Sequence, residues 1–213
     1  MQKIDEAAKQ REAFETRIKQ FLGLAGAAKI LGSALRNAFA DIKELDAVMT
    51  EIAVVTDFKV GDMWEQLPEY TSRANELGIA ISEAYKASAL FYQQGLDTNE
   101  MVELSNETLK MARIAGLDAS EATDRMTAAL RGFNMELNQA SAQKVADVYS
   151  QLAAITASDV DEISSAMTKT ASIASSAGME FETTAAFLSQ IIETTRESAE
   201  TAGTAMKTVI ARF

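Results

Sequence analysis

Apolar positions recur through much of the chain at alternating steps of three and four, the period of one face of an α-helix. The first series is Ile4, Ala7, Arg11, Phe14, Ile18, Phe21 and Ala25, with Arg11 its one charged member. The second is cleaner: Leu31, Leu35, Ala38, Ile42, Leu45, Met49 and Ile52. That spacing draws a narrow seam of the kind that helices share in a coiled coil. An amphipathic helix packed on its own domain leaves the same trace, and spacing alone keeps both readings open. Glycines at 23, 26 and 32 predict a break between the two series. Farther along, three stripes predict core-facing helices: Val145, Val148, Leu152 and Ile155; Val160, Ile163, Met167, Thr170 and Ala174; Phe181, Ala185, Leu188, Ile192 and Thr195.

Between the helices the chain is punctuated in a regular way. Gly95-Leu96-Asp97, Gly116-Leu117-Asp118, Gly132-Phe133-Asn134 and Gly178-Met179-Glu180 each place an apolar and then a polar residue after a glycine. A glycine just past a helix adopts the left-handed conformation that closes it, and the apolar residue packs back on the last turn. The polar side chain then accepts from the free backbone donors of the next helix. Asp97 with Glu100 and Asp118 with Glu121 have capping-box spacing, and Ser158 with Asp161 is predicted to act likewise without a glycine. An irregular connector, Lys59-Val60-Gly61-Asp62, precedes a helix through Trp64 that ends near Gly78, with Pro68 in its early turns. Trp64 is predicted to be a core anchor. The fold class is therefore all-α: short helices joined by glycine-capped turns, preceded by a long coiled-coil-like arm. The predicted division is an arm at 1–32 and a helical domain at 33–213.

Composition narrows the functions open to such a fold. The 213 residues are 47% hydrophobic and 24% charged, enough for a core, and contain a single proline. With no cysteine and no histidine, thiol chemistry, thiolate metal sites and the commonest general base are all excluded. The net charge of −11 disfavours nucleic acid and anionic membrane surfaces, because the basic residues are scattered singly among acids. The longest apolar stretch near the start, residues 21–28, falls far short of the ~20 residues a membrane span needs. The opening Met1-Gln-Lys-Ile-Asp-Glu is charged and helical, unlike a signal peptide.

Candidate chemistry is sparse. Asp159-Val160-Asp161-Glu162 clusters acids, but successive acids on one turn point apart, and a helix start favours negative charge in any case. The cluster also lacks the remaining ligands of a calcium loop. There is no Lys-Ser/Thr phosphate loop and no Gly-x-Ser-x-Gly elbow. Ser164-Ser165 and Ser175-Ser176 read as small surface residues. No catalytic, cofactor-binding or metal-binding residues are assigned. The many Ala, Ser and Thr at facing positions predict close helix approach and a lean core.

From about Phe39 onward the order of these joints resembles a known family. Leu45-Asp46-Ala47-Val48-Met49-Thr50-Glu51-Ile52 looks like its opening helix. Glu76-Leu77-Gly78, Gly95-Leu96, Ala115-Gly116, Ala129-Leu130-Arg131-Gly132-Phe133, Val145-Ala146-Asp147 and the capped helix at 158–163 follow in order. Thr201-Ala202-Gly203-Thr204-Ala205-Met206-Lys207 resembles its closing signature. The family is that of phage tail tape-measure proteins, TP901 type, and the resemblance covers roughly residues 39–213. This chain departs from it in having no glycine between Glu193 and Ala202, which predicts a longer helix from Phe181 and a different turn after it.

The resemblance implies an assembly protein of the tail lumen, whose extended length sets the number of tube rings. It implies oligomers, often trimers, contacts with tail tube and tail-tip proteins, and help for DNA crossing the host envelope. For this chain the expected self-association seam is Leu31, Leu35, Ile42, Leu45, Met49 and Ile52. Such proteins are much longer, whereas 213 residues as one straight helix span only about 320 Å. The chain is therefore expected to be a fragment. Two other readings carry different expectations: a helical adaptor unrelated to phage, and an enzyme such as a peptidoglycan hydrolase.

Overall fold

The computed structural model describes residues 43–51, 53–54, 71–72, 74–96 and 98–212. Every regular element among them is a helix. Upstream helical backbone covers 43–51 and 53–54, then 71–72 and 74–77. Seven further helices follow: α1 (Ile81–Gln93), α2 (Thr98–Ala115), α3 (Ala119–Gly132), α4 (Gln139–Ile155), α5 (Val160–Ser176), α6 (Phe181–Thr195) and α7 (Ala199–Ile210). The arm at 1–32, Asp97, Trp64, Pro68 and the Lys59–Asp62 connector lie outside the described residues.

One joint recurs. After Ala74, Phe91, Ala112, Leu130 and Ala174, the amide five residues on donates back to that carbonyl: Ile79, Leu96, Leu117, Met135 and Met179 are the donors. In each joint the residue before the donor is left-handed, at Gly78, Gly95, Gly116, Asn134 and Gly178. This is the Schellman closure, in which the apolar residue after the left-handed one covers the last turn. Gly132 does not play the predicted part. It ends α3, and Asn134, with φ 51°, takes the left-handed place two residues later.

The starts of helices are capped mostly by short polar side chains. Asp118 accepts from Glu121 N at 2.8 Å, Asn138 from Ser141 N at 2.9 Å, and Ser198 from Thr201 N at 3.2 Å. Asp159 and Glu162 make a complete capping box, each carboxylate taking the other's backbone N–H. The predicted cap at Ser158 is thus displaced by one residue. Glu180 makes no side-chain cap at all. The helix from Phe181 ends at Thr195, where the non-glycine Arg196 turns left-handed and donates to Ala157 O.

α5 is the hub, packing on α7, α3 and α6 and more lightly on α4 and α2. Its predicted stripe, Val160, Ile163, Met167, Thr170 and Ala174, is buried throughout. Glycines let two neighbours come close. A Cβ added at Gly203 would lie 2.5 Å from Ala166 O, and one at Gly132 would lie 2.5 Å from Ala171 Cβ. Thr170 Oγ1 donates to Gly203 O at 3.1 Å across the α5–α7 contact. On α6, Phe181 meets Phe133 and Tyr149 edge-to-face, at ring-centre distances of 5.6 and 5.5 Å. The α4 stripe is rotated from its predicted position: Ala142, Val145, Ala146 and Tyr149 are buried, and Ile155 is 79% exposed.

Candidate functional site

The seam divides on the structure. Leu31, Leu35, Ile42 and Ile52 lie outside the described residues. Leu45 and Met49 are 6% and 0% exposed and, with Val48, belong to a buried cluster with Ala84, Tyr85, Ala87, Ala89, Leu109 and Ala119. The helical backbone at 43–51 therefore turns this face onto its own domain. In this arrangement Leu45 and Met49 pack within their own chain. The physical reason is that Ala84, Ala87 and Ala89 leave a shallow apolar face beside Tyr85, which the two larger side chains cover.

A chain of polar contacts fixes this packing. Lys86 Nζ donates to Glu44 Oε1 at 2.9 Å and to Glu83 Oε1 at 3.0 Å. The hydrogen bond from Lys86, with its charge, holds the Glu44 carboxyl below the usual range, and Glu44 and Glu83 raise Lys86 in turn. Glu83 Oε2 accepts from Ala119 N at 3.0 Å, so one carboxylate joins α1 to the start of α3. Beside it lies a cavity of about 220 Å³ lined by Ile79, Leu109, Ala112, Arg113 and Leu117, among others.

The acid cluster at 159–162 is spent on structure. Asp159 and Glu162 close the capping box. Asp161 is clamped by Arg125 of α3, which also donates to Asp161 O at 2.8 Å and to Ser164 Oγ at 3.2 Å. Ser164 is fully buried rather than a surface serine. Among the described residues no three acids gather in a metal-sized group. The α4–α5 turn is tied by three hydroxyls: Thr156 to Ser158 at 2.7 Å, Ser158 to Ser189 at 3.1 Å, and Ser189 to Thr156 at 2.9 Å. Sequence reasoning missed Arg125 and this hydroxyl ring, because both join residues more than thirty positions apart.

Among the described residues no helix is long and apolar enough to cross a membrane. What the geometry offers is interhelical packing, with acids used as caps, clamps and ties. That defines a helical structural module. Residues 71–213 match the family described as phage-related minor tail protein, and the chain belongs to that family. It is also 28% identical, over 183 residues, to the tape measure protein of Pneumococcus phage Dp-1, a match covering 83% of this chain and 15% of that protein. The chain thus spans a small part of the length of this curated relative. No solved structure matches it. The chain is a structural component of a phage-type tail.

Proposed function

We propose that residues 33–213 form the folded, non-measuring domain of a tape-measure protein. In this reading the domain resides in the tail lumen, contacts tail tube and tail-tip proteins, and self-associates through the seam, as a trimer in the form the resemblance implies. Length is set by helical chain elsewhere in the same protein. The observation that carries the reading is the match to a tape measure protein over 83% of the chain. The small share of that relative which it spans supports a division of labour, with most of the length lying outside this domain. An adaptor role outside a tail finds no support in the family or the relative.

The same reading makes the domain a non-enzyme. Its acid cluster is engaged in a capping box and an Arg125 clamp, which leaves no free carboxylate pair there for hydrolysis. Removing the codons for residues 71–213 from the phage or prophage that carries them tests the assembly role. Tails are expected to fail, with tube and tip proteins accumulating unassembled. Normal tails would overturn the proposal. On cell-wall zymograms the purified chain is expected to clear no band.

A further inference from the structure

We infer that the joint between α6 and α7 is a strained hinge, held bent by the packing of α7 on α5, whose alternative state is one continuous helix from Phe181 to Ile210. The device lies in this chain alone and does not depend on its place in a tail.

The outlier is Arg196. Among the described residues only Asn134 and Arg196 are left-handed without being glycine. Asparagine tolerates that conformation, whereas a long side chain is strained in it. Arg196 has φ 56° and ψ 21°, yet its amide still donates to Ile192 O at 2.9 Å, as in a continuing helix. The next helix opens with Ser198 as its cap. Only Arg196, Glu197 and Ser198 lie between the two helices.

Nothing in the local sequence asks for that break. Residues 193–202, Glu-Thr-Thr-Arg-Glu-Ser-Ala-Glu-Thr-Ala, contain neither glycine nor proline. Left-handed glycines, by contrast, close the joints at 78, 95, 116 and 178. The apolar stripe also runs through the joint in phase. Phe181, Ala185, Leu188, Ile192 and Thr195 are followed by Ala199, Ala202, Met206 and Val209 in unbroken steps of four and three. Two helices set at an angle have no need to share one phase, whereas a single helix does. Local preference and fold therefore disagree here, and such disagreement gathers at strained or switching sites.

What holds the bend is α7 on α5. α7 buries Ala202, Gly203 and Met206, and of these only Met206 is large. The other ties are Thr170 to Gly203 O, the exposed Lys169–Glu200 pair, and Arg196 Nη1 to Ala157 O at 3.0 Å. Release of α7 costs these contacts and returns Arg196 to helical backbone. The straightened element is about 45 Å long at 1.5 Å per residue.

Glycine and alanine at 196 separate the backbone from the guanidinium. Both remove the tie to Ala157, but glycine relieves the left-handed strain and disfavours the straight helix, whereas alanine keeps the strain and favours it. The straight-to-bent ratio is expected to differ about thirtyfold between the two variants.

The chain has no cysteine, so nitroxide labels can be placed at Thr183→Cys and Thr208→Cys, both exposed. Double electron–electron resonance on the full chain then reads their separation, about 38 Å along a straight helix and shorter across the bend. Both variants carry Met206→Ala to loosen α7. R196A/M206A is expected to show a component near the straight-helix distance at undiminished helicity by circular dichroism. In R196G/M206A that component is expected to fall about thirtyfold. Equal long components in the two, or none in either, would overturn the hinge. A broad spread with lost helicity in R196A/M206A would also overturn it, because α7 would be fraying rather than straightening. If Met206→Ala prevents folding, the single variants decide. R196G is then expected to unfold at higher urea than R196A, and an equal or lower midpoint would overturn the strained joint.

Discussion

Gly203 sits inside α7, where intrinsic preference and packing pull in opposite directions. Alanine is favoured over glycine in a helix interior by about 1 kcal/mol. A Cβ at Gly203, however, would meet the backbone oxygen of Ala166 at 2.5 Å, and backbone cannot swing aside as a flexible side chain can. Overpacking of this kind costs roughly 1–3 kcal/mol, so packing wins. Gly203→Ala is expected to lower the urea midpoint, and a raised midpoint would contradict the close α5–α7 approach. Tyr149 makes the opposite case. Its ring is fully buried and its hydroxyl has no partner, and burial pushes its ionisation far up despite the Arg125 charge nearby. A buried donor left unpaired costs about 1–3 kcal/mol. Tyr149→Phe is therefore expected to hold or raise stability, and a clear loss would mean that the hydroxyl has a partner. Neither residue was legible as special in the sequence. Gly203 stood out there only within a family signature, and Tyr149 fell between the aliphatic residues that defined the α4 stripe.

At the scale of the element, the turns were the most legible part of the fold, because their chemistry is local. Gly95, Gly116 and Gly178 close their helices as the sequence predicts. The errors share a cause: several polar residues near one helix start compete for the same donors. Asp159 won over Ser158, whose hydroxyl is drawn instead to Ser189 from another helix. Asn138 capped α4, and Asn134 was left to close α3. Asp159→Ala is expected to cost about 1 kcal/mol, the usual scale for losing a cap, in the same urea measurement. No change would mean that Glu162 and the helix dipole suffice.

The docked helical segment at 43–51 carries a pH dependence. The carboxyl of Glu44 is depressed in the fold, so its contribution is complete above the ordinary value of 4.5 and fades as pH falls through the lowered one. Lys86 is raised, so its contribution holds below the ordinary value of 10.5 and is lost only as pH rises through the raised one. Amide shifts of residues 45–49 are expected to be steady near neutrality and to move on acidification. Movement confined to neutral pH would contradict the pairing.

Over the whole molecule, the all-α class was readable because three-four spacing, scarce proline and capped joints agree with one another. Which helix lies at the centre was not. α5 owes its place to small neighbours at Gly132 and Gly203 and to Arg125 reaching its first turn, all of them long-range facts. The seam was legible as a face but not as to what covers it, since cis packing and coiled-coil pairing leave the same spacing. Two buried clusters, with Tyr92 packed against both, combine close helix approaches at Gly132 and Gly203 with large buried side chains such as Tyr85, Phe91, Met126 and Tyr149.

The central claim is that this domain belongs to a tape-measure protein whose measuring length lies elsewhere. The most direct test is tail length, measured by negative-stain microscopy after in-frame deletions in the gene that carries the sequence. Removing helical chain outside residues 33–213 is predicted to shorten tails in proportion, at about 1.5 Å per residue if that chain is helical. Removing α5 is predicted to abolish tails rather than shorten them. Normal-length tails after the outside deletions, or proportionate shortening after loss of α5, would contradict the account.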